Sequence, residues 1–162
     1  MAKATYTLID SVTLSGTTSS ISFTNPDTSY GDLVLVADYG ITSQGQAEMR
    51  INGGTTNHYW VNMYGTGGSY SSAAGSSANY IPLSYGAFSN PGHTPMAIVQ
   101  ILDYSATDKH KFVLVRNGNG DTGVEAVAGV VAATSAVTTI LVYASSQFTS
   151  GSTFFLYGIA KA

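Results

Sequence analysis

Asp32-Leu33-Val34-Leu35-Val36-Ala37 decides how the rest of the chain is read. Leu33 to Val36 follow one another without a polar interruption, with Tyr30-Gly31-Asp32 as turn chemistry before them and Tyr39-Gly40 after. So short an apolar run, bounded by turn residues, predicts a strand covered on both faces; a buried helix needs a longer run.

Outward from that run the same grammar repeats. Thr5 to Leu14 alternates loosely, with Tyr6, Leu8, Val12 and Leu14 against Ser and Thr. Ser19 to Thr24 puts Ile21 and Phe23 on one side, the period of a half-buried strand, and Asn25-Pro26-Asp27 ends it. Ala47, Met49 and Ile51 alternate with Glu48 and Arg50, and Asn52-Gly53-Gly54 reads as a hairpin turn leading to a returning strand over His58 to Tyr64. Residues 65 to 79, Ser-, Gly- and Ala-rich and without periodicity, read as a long exposed loop. Further strands are expected within Tyr80 to Phe88, Pro95 to Asp103, His110 to Arg116, Val124 to Ala132, Val137 to Tyr143 and Phe154 to Ile159. Gly123 to Ala133 is Ala-rich enough for a helix, but its valines and glycines oppose one. About ten short strands with turn signals every ~8–12 residues predict an all-β protein, an antiparallel β-sandwich or barrel. The 162 residues read as a single domain, 1–162, long enough to bury a sizeable core.

Charged residues are only 9% of the chain, and Ser, Thr, Gly, Asn and Tyr stand in their place. A surface poor in Lys and Glu and rich in aromatics has the composition of interfaces, so self-association into a homo-oligomer or a larger assembly is expected. The net charge of −3 and the lack of a basic cluster argue against nucleic acid as a partner. No apolar run approaches the ~18 residues of a membrane-spanning helix, so no membrane partner is expected. There are no cysteines, hence no disulfides or thiolate metal sites, and Met1 to Tyr6 lacks the apolar region of a secretory signal.

No catalytic constellation is legible. His58, His93 and His110 are far apart in sequence, without metal-ligand spacing, and no Gly-x-Ser-x-Gly elbow occurs. The nine acidic residues are scattered, most of them at predicted turns. Asn117-Gly118-Asn119-Gly120-Asp121 alternates oxygen ligands as a calcium loop does, but Thr122 stands where the EF-hand glycine belongs, and a glycine-rich hairpin explains the stretch better. The chain is therefore read as non-enzymatic, with no catalytic residue, metal or cofactor. Glycan binding is a better candidate than catalysis. Asn57-His58-Tyr59-Trp60, together with Tyr64, Tyr70 and Tyr80, offers aromatic faces and hydrogen-bonding groups. The competing reading packs Tyr59 to Tyr64 as an ordinary strand with Trp60 in the core.

Several segments are familiar as a set: Leu8-Ile9-Asp10-Ser11-Val12-Thr13-Leu14, Asp32-Leu33-Val34-Leu35-Val36, Arg50-Ile51-Asn52-Gly53, Asp103 to Lys111, and Ser150 to Ile159. Their order resembles a β-rich module of virion structural proteins of tailed phages, marine and cyanobacterial ones especially, over nearly the whole chain. The resemblance implies a jelly-roll-like sandwich, made in the host cytoplasm and docked onto capsid or tail subunits as a head decoration or a fibre part, with no catalytic residues. Coiled-coil heptads and collagen-like repeats that would build a shaft are missing, which suits a capsid decoration (cement) protein better than a whole fibre. The alternative is a receptor- or glycan-binding module of a tail fibre, with a host-surface glycan as partner.

Overall fold

The computed structural model describes residues 5–54, 56–85, 90–120 and 123–161. Among them there is no helix. The strands are β1 (Tyr6–Thr13), β2 (Thr18–Thr24), β3 (Tyr30–Asp38), β4 (Ala47–Ile51), β5 (His58–Gly65), β6 (Tyr70–Ala78), β7 (Ile81–Ser84), β8 (Met96–Ile101), β9 (Lys111–Asn119), β10 (Gly123–Val131), β11 (Thr139–Phe148) and β12 (Thr153–Ala160). They form an antiparallel sandwich of an eight-stranded sheet, in the order β1-β12-β3-β8-β9-β10-β5-β6, and a four-stranded sheet, β2-β11-β4-β7.

The chain changes sheet at every step from β1 to β5, and strands far apart in sequence pair: β1 with β12, β2 with β11, β3 with β8 and β4 with β7. Two hairpins, β9–β10 and β5–β6, then widen the large sheet beyond β8. The core lies between the sheets. Leu33, Leu35, Val99, Val113, Val115, Phe154 and Leu156 from the large sheet meet Phe23, Met49, Ile51, Ile81, Ile140 and Val142 from the small one. Tyr39 closes one end, stacked on Phe154 at 6.4 Å and edge-on to Phe148 at 5.5 Å. At the other end, buried Lys111 donates from Nζ to the carbonyls of Ala106 (2.6 Å), Lys109 (2.7 Å) and Thr134 (3.3 Å).

Several expectations are corrected by this arrangement. Asn52-Gly53-Gly54 does turn the chain, with φ of 51° at Asn52 and 84° at Gly53, but it joins no hairpin. β4 and β5 go to different sheets. The Asn52 side chain ties this corner to the segment before β11, donating to the Ala136 carbonyl (2.8 Å) and accepting from Thr138 N (2.8 Å) and Thr139 N (3.1 Å). Residues 65 to 79 are not one long loop. A short turn, closed by Thr66 N donating to the Ser69 carbonyl (2.9 Å), leads into β6, the edge strand on β5. Its alternation is invisible in sequence because Ala73, Gly75 and Ala78 face inward and Ser72, Ala74 and Ser76 outward, residues of similar polarity. In β1 a bulge between Leu8 and Asp10 shifts the register, so Ile9 and Val12 pack inward while Tyr6 and Leu8 are exposed. The Ala-rich segment is strand β10, as expected, and Asn117 to Asn119 end strand β9, which pairs with β10, while Asp121 is outside the described residues.

Candidate functional site

The alternation of a strand sends neighbouring residues to opposite faces. Along β5 it divides His58, Trp60, Asn62 and Tyr64, which point into the sandwich, from Tyr59, Val61 and Met63, which point out. The same division along β9 leaves Phe112, Leu114 and Arg116 outside, and along β10 it leaves Val124, Ala126 and Ala128 outside. In an antiparallel sheet with one face in water, those outward positions are ordinarily polar. Here they are not.

Following the register across the large sheet, one row of outward neighbours reads Leu8–Tyr157–Val34–Gln100–Leu114–Ala128–Val61–Ala74. The next reads Ser11–Phe155–Val36–Ile98–Arg116–Ala126–Met63–Ser72. In the middle of the sheet these side chains shield one another, and Val34 is only 8% exposed, although Leu8 at the β1 edge is exposed. Towards β6 they do not. Tyr59, Val61, Met63, Met96, Phe112, Leu114 and Val124 stand between 42% and 69% exposed on one continuous face. Shallow depressions run along β10 between the side chains of β9 and β5, bordered by Tyr59, Val61, Phe112 and Leu114 at one end and by Met63, Tyr70 and Val124 at the other. Large contiguous apolar patches of this kind mark interaction surfaces.

The inner face of the same strands is buried, and beside core residues such as Val113, Val115 and Val127 it holds a polar cluster. Glu125 on β10 sits opposite Asn117 on β9 and accepts hydrogen bonds from Asn62 Nδ2 and, at 3.1 Å, from Tyr85 N. Burial pushes the Glu125 carboxyl up to about 7, against the lowering effect of those two donors. Asn117 Nδ2 donates to the Leu83 carbonyl at 2.7 Å. Among the described residues the carboxamide oxygens of Asn62 and Asn117 find no donor. A protonated Glu125 beside them is chemically consistent, because only its acid form can donate a hydrogen bond. Among the described residues no three His, Asp or Glu side chains gather as a metal site would require.

The glycan-binding candidates are dispersed by this architecture. His58 is fully buried, its Nε2 accepting from Ile51 N at 3.3 Å. Trp60 is in the core, 6.0 Å from the Tyr80 ring and 5.7 Å from the Tyr85 ring, and so close over Gly75 that a Cβ there would lie 2.4 Å from the indole. Tyr64 is half-buried against Tyr85, and Tyr80 half-buried against Trp60. Asn57 is half-buried at the start of β5, where its carbonyl accepts from Ala132 N. Only Tyr59 and Tyr70 are exposed, and they lie at opposite ends of the β5–β6 pair. The structure thus gathers His58, Trp60, Tyr64 and Tyr80 as packing, the ordinary-strand reading, and builds no single aromatic platform from the set. What sequence reading passed over is the outward set Val61, Met63, Leu114 and Val124. The signal was present in Phe112-Val113-Leu114-Val115, an apolar run whose alternate members must face away from the core.

No protein-family model, curated protein or solved structure matches this chain.

Proposed function

We propose that this is a non-enzymatic virion structural protein, in particular a capsid decoration protein, that acts by burying the outer face of its large sheet against another protein surface. The observation that carries this reading is the apolar outer face itself, with seven large side chains 42% to 69% exposed. Its composition of Tyr, Phe, Met, Leu and Val with a single Arg is that of an interface core. Among the described residues the buried carboxylates, meanwhile, are engaged within the chain, Glu48 with Arg50 on the outer face of the small sheet and Glu125 with Asn62 and Tyr85. The pairings β1–β12, β2–β11, β3–β8 and β4–β7, with the chain switching sheets between consecutive strands, favour a jelly roll widened by two hairpins, an architecture that viral capsid domains use. The resemblance to phage virion modules points the same way.

Cryo-electron microscopy of particles carrying this chain tests the proposal. Density on the capsid lattice, with the β9–β10–β5 face against the shell or against sibling copies, is the expected result. Density confined to the tail would replace it with the receptor- or glycan-binding alternative, and its absence from particles would overturn both.

A further inference from the structure

We propose that the outer face of β9, β10, β5 and β6 takes a second copy of this chain in a back-to-back, two-fold dimer. The inference rests on the docking reading above and names the partner of that face.

Relief is the first argument. In the two middle rows of these four strands the outward residues alternate in size strand by strand. β9 carries Phe112, Leu114 and Arg116, β10 carries Val124, Ala126, Ala128 and Val130, β5 carries Tyr59, Val61 and Met63, and β6 carries Tyr70, Ser72 and Ala74. The register aligns them as Leu114–Ala128–Val61–Ala74 and Arg116–Ala126–Met63–Ser72, large–small–large–small in both rows. Over those two rows the face is complementary to itself. A two-fold axis parallel to the strands, midway between β10 and β5, lays β5 of each copy over β10 of the other and β9 of each over β6 of the other. Val61 then faces Ala128, and Leu114 faces Ala74, in both directions. Interdigitation of large with small side chains is how sheet faces pack at about 10 Å, and a two-fold contact requires this kind of self-complementarity.

Charge and area agree. Among the described outward residues of these strands Arg116 carries the single formal charge. In the dimer it faces Ser72 at the rim, and the two arginines lie on opposite sides of the interface. Four strands at about 4.8 Å spacing and about 30 Å length give a flat footprint of roughly 580 Å² per copy. That makes on the order of 1,150 Å² for the pair before side-chain relief is counted, above the ~1,000 Å² that a specific interface needs.

The test is sedimentation velocity of the full chain from about 1 to about 100 μM, with circular dichroism confirming the fold of each variant. Wild type is expected to dimerise in that range. Val61→Glu or Ala128→Lys alone raises the dissociation constant about 100-fold or more, because each buries an unpaired charge. An equimolar mixture of the two variants restores a heterodimer, since the introduced carboxylate of one copy then meets the introduced ammonium of the other. Ser22→Glu, on the outer face of the small sheet, leaves the dimer intact. A wild type that is monomeric at about 100 μM, or a dimer indifferent to Val61→Glu and Ala128→Lys, overturns the inference. Particle binding is scored separately. A monomer that still docks on particles, and is released by Val61→Glu, sinks the dimer and leaves the docking reading standing.

Discussion

On the outer face of the small sheet the rows read Ser20–Tyr143–Glu48–Pro82 and Ser22–Leu141–Arg50, with Thr24 beside Thr139. Polar and apolar residues mix there, and the charges are answered locally. Arg50 pairs with Glu48 at 3.2 Å and lies over the Tyr143 ring at 5.0 Å. Burial raises the Glu48 carboxyl, while Arg50 lowers it. On the outer face of the large sheet the row Leu8–Tyr157–Val34–Gln100–Leu114–Ala128–Val61–Ala74 holds no charge. Two sheets that share one core therefore meet the outside on different terms. Over β2 and β11 the small sheet alternates as a solvated sheet should, with Glu48 and Pro82 buried on β4 and β7, whereas the large one carries apolar residues on both sides. Local propensity does not explain the difference, since both sheets are built of equally good strand formers. It is explained if the large sheet's second face is meant to be covered.

The sharpest way to break that comparison is along β5, whose two sides should respond oppositely. Trp60→Ala empties a core site and is expected to cost about 3–5 kcal/mol in urea unfolding. Tyr59→Ala, one residue away and 42% exposed, should stay within about 0.5 kcal/mol for the isolated chain. Equal losses at the two positions would mean that the outward row is already covered within one molecule.

Next in size is the pH dependence of the buried cluster around Glu125. The folded-state pKa of Glu125, about 7, lies above its ordinary value of 4.5, so the folded state holds the proton more tightly. Its contribution is complete below about pH 4.5 and is lost as pH rises through about 7, by up to roughly 3 kcal/mol. Thermal melts of the wild type should fall across that window. Glu125→Gln, which keeps the shape of the acid form, should flatten the fall, and an unchanged pH profile would remove Glu125 as its source.

A smaller effect belongs to the small sheet. Arg50→Ala removes the partner of Glu48, whose side chain is largely shielded on the outer face, and should cost about 1 kcal/mol in chemical denaturation. If the loss were several-fold larger, that face would be a structural ion-pair site rather than a solvated surface. Smallest of all, Ser22→Glu should move the melting temperature barely at all, by the rule for surface positions, of about 0.5 kcal/mol or less. A large shift there would show that the polar face, too, is covered.

Much of the fold was legible because β-structure is written in short-range patterns. The apolar runs, the Asn-Gly and Pro-Asp punctuation and the opposition of valine to helix in residues 123 to 133 each acted through neighbours in sequence. Trp60 in the core also followed from treating Tyr59 to Tyr64 as a plain strand. Edge strand β6 was missed because small residues carry no hydropathy contrast, and its place is set by backbone pairing with β5 and by Gly75 making room for Trp60. The bulge in β1 was missed because one extra residue reverses which face every later side chain takes.

By itself, then, the sequence determined that the chain is all-β, where most strands begin and end, and that Leu33 to Val36 and Phe112 to Val115 have apolar residues on two faces. Only the tertiary structure decided which partner each strand takes. Asn52-Gly53 makes a turn locally, but whether the chain returns beside β4 or crosses to the other sheet depends on Thr138 and Thr139, more than eighty residues away in sequence. Tertiary structure also decided that one of the two apolar faces is core and the other is open. A strand's pattern records that a face avoids water; what covers it is settled by elements that come from elsewhere in the chain, or from another molecule.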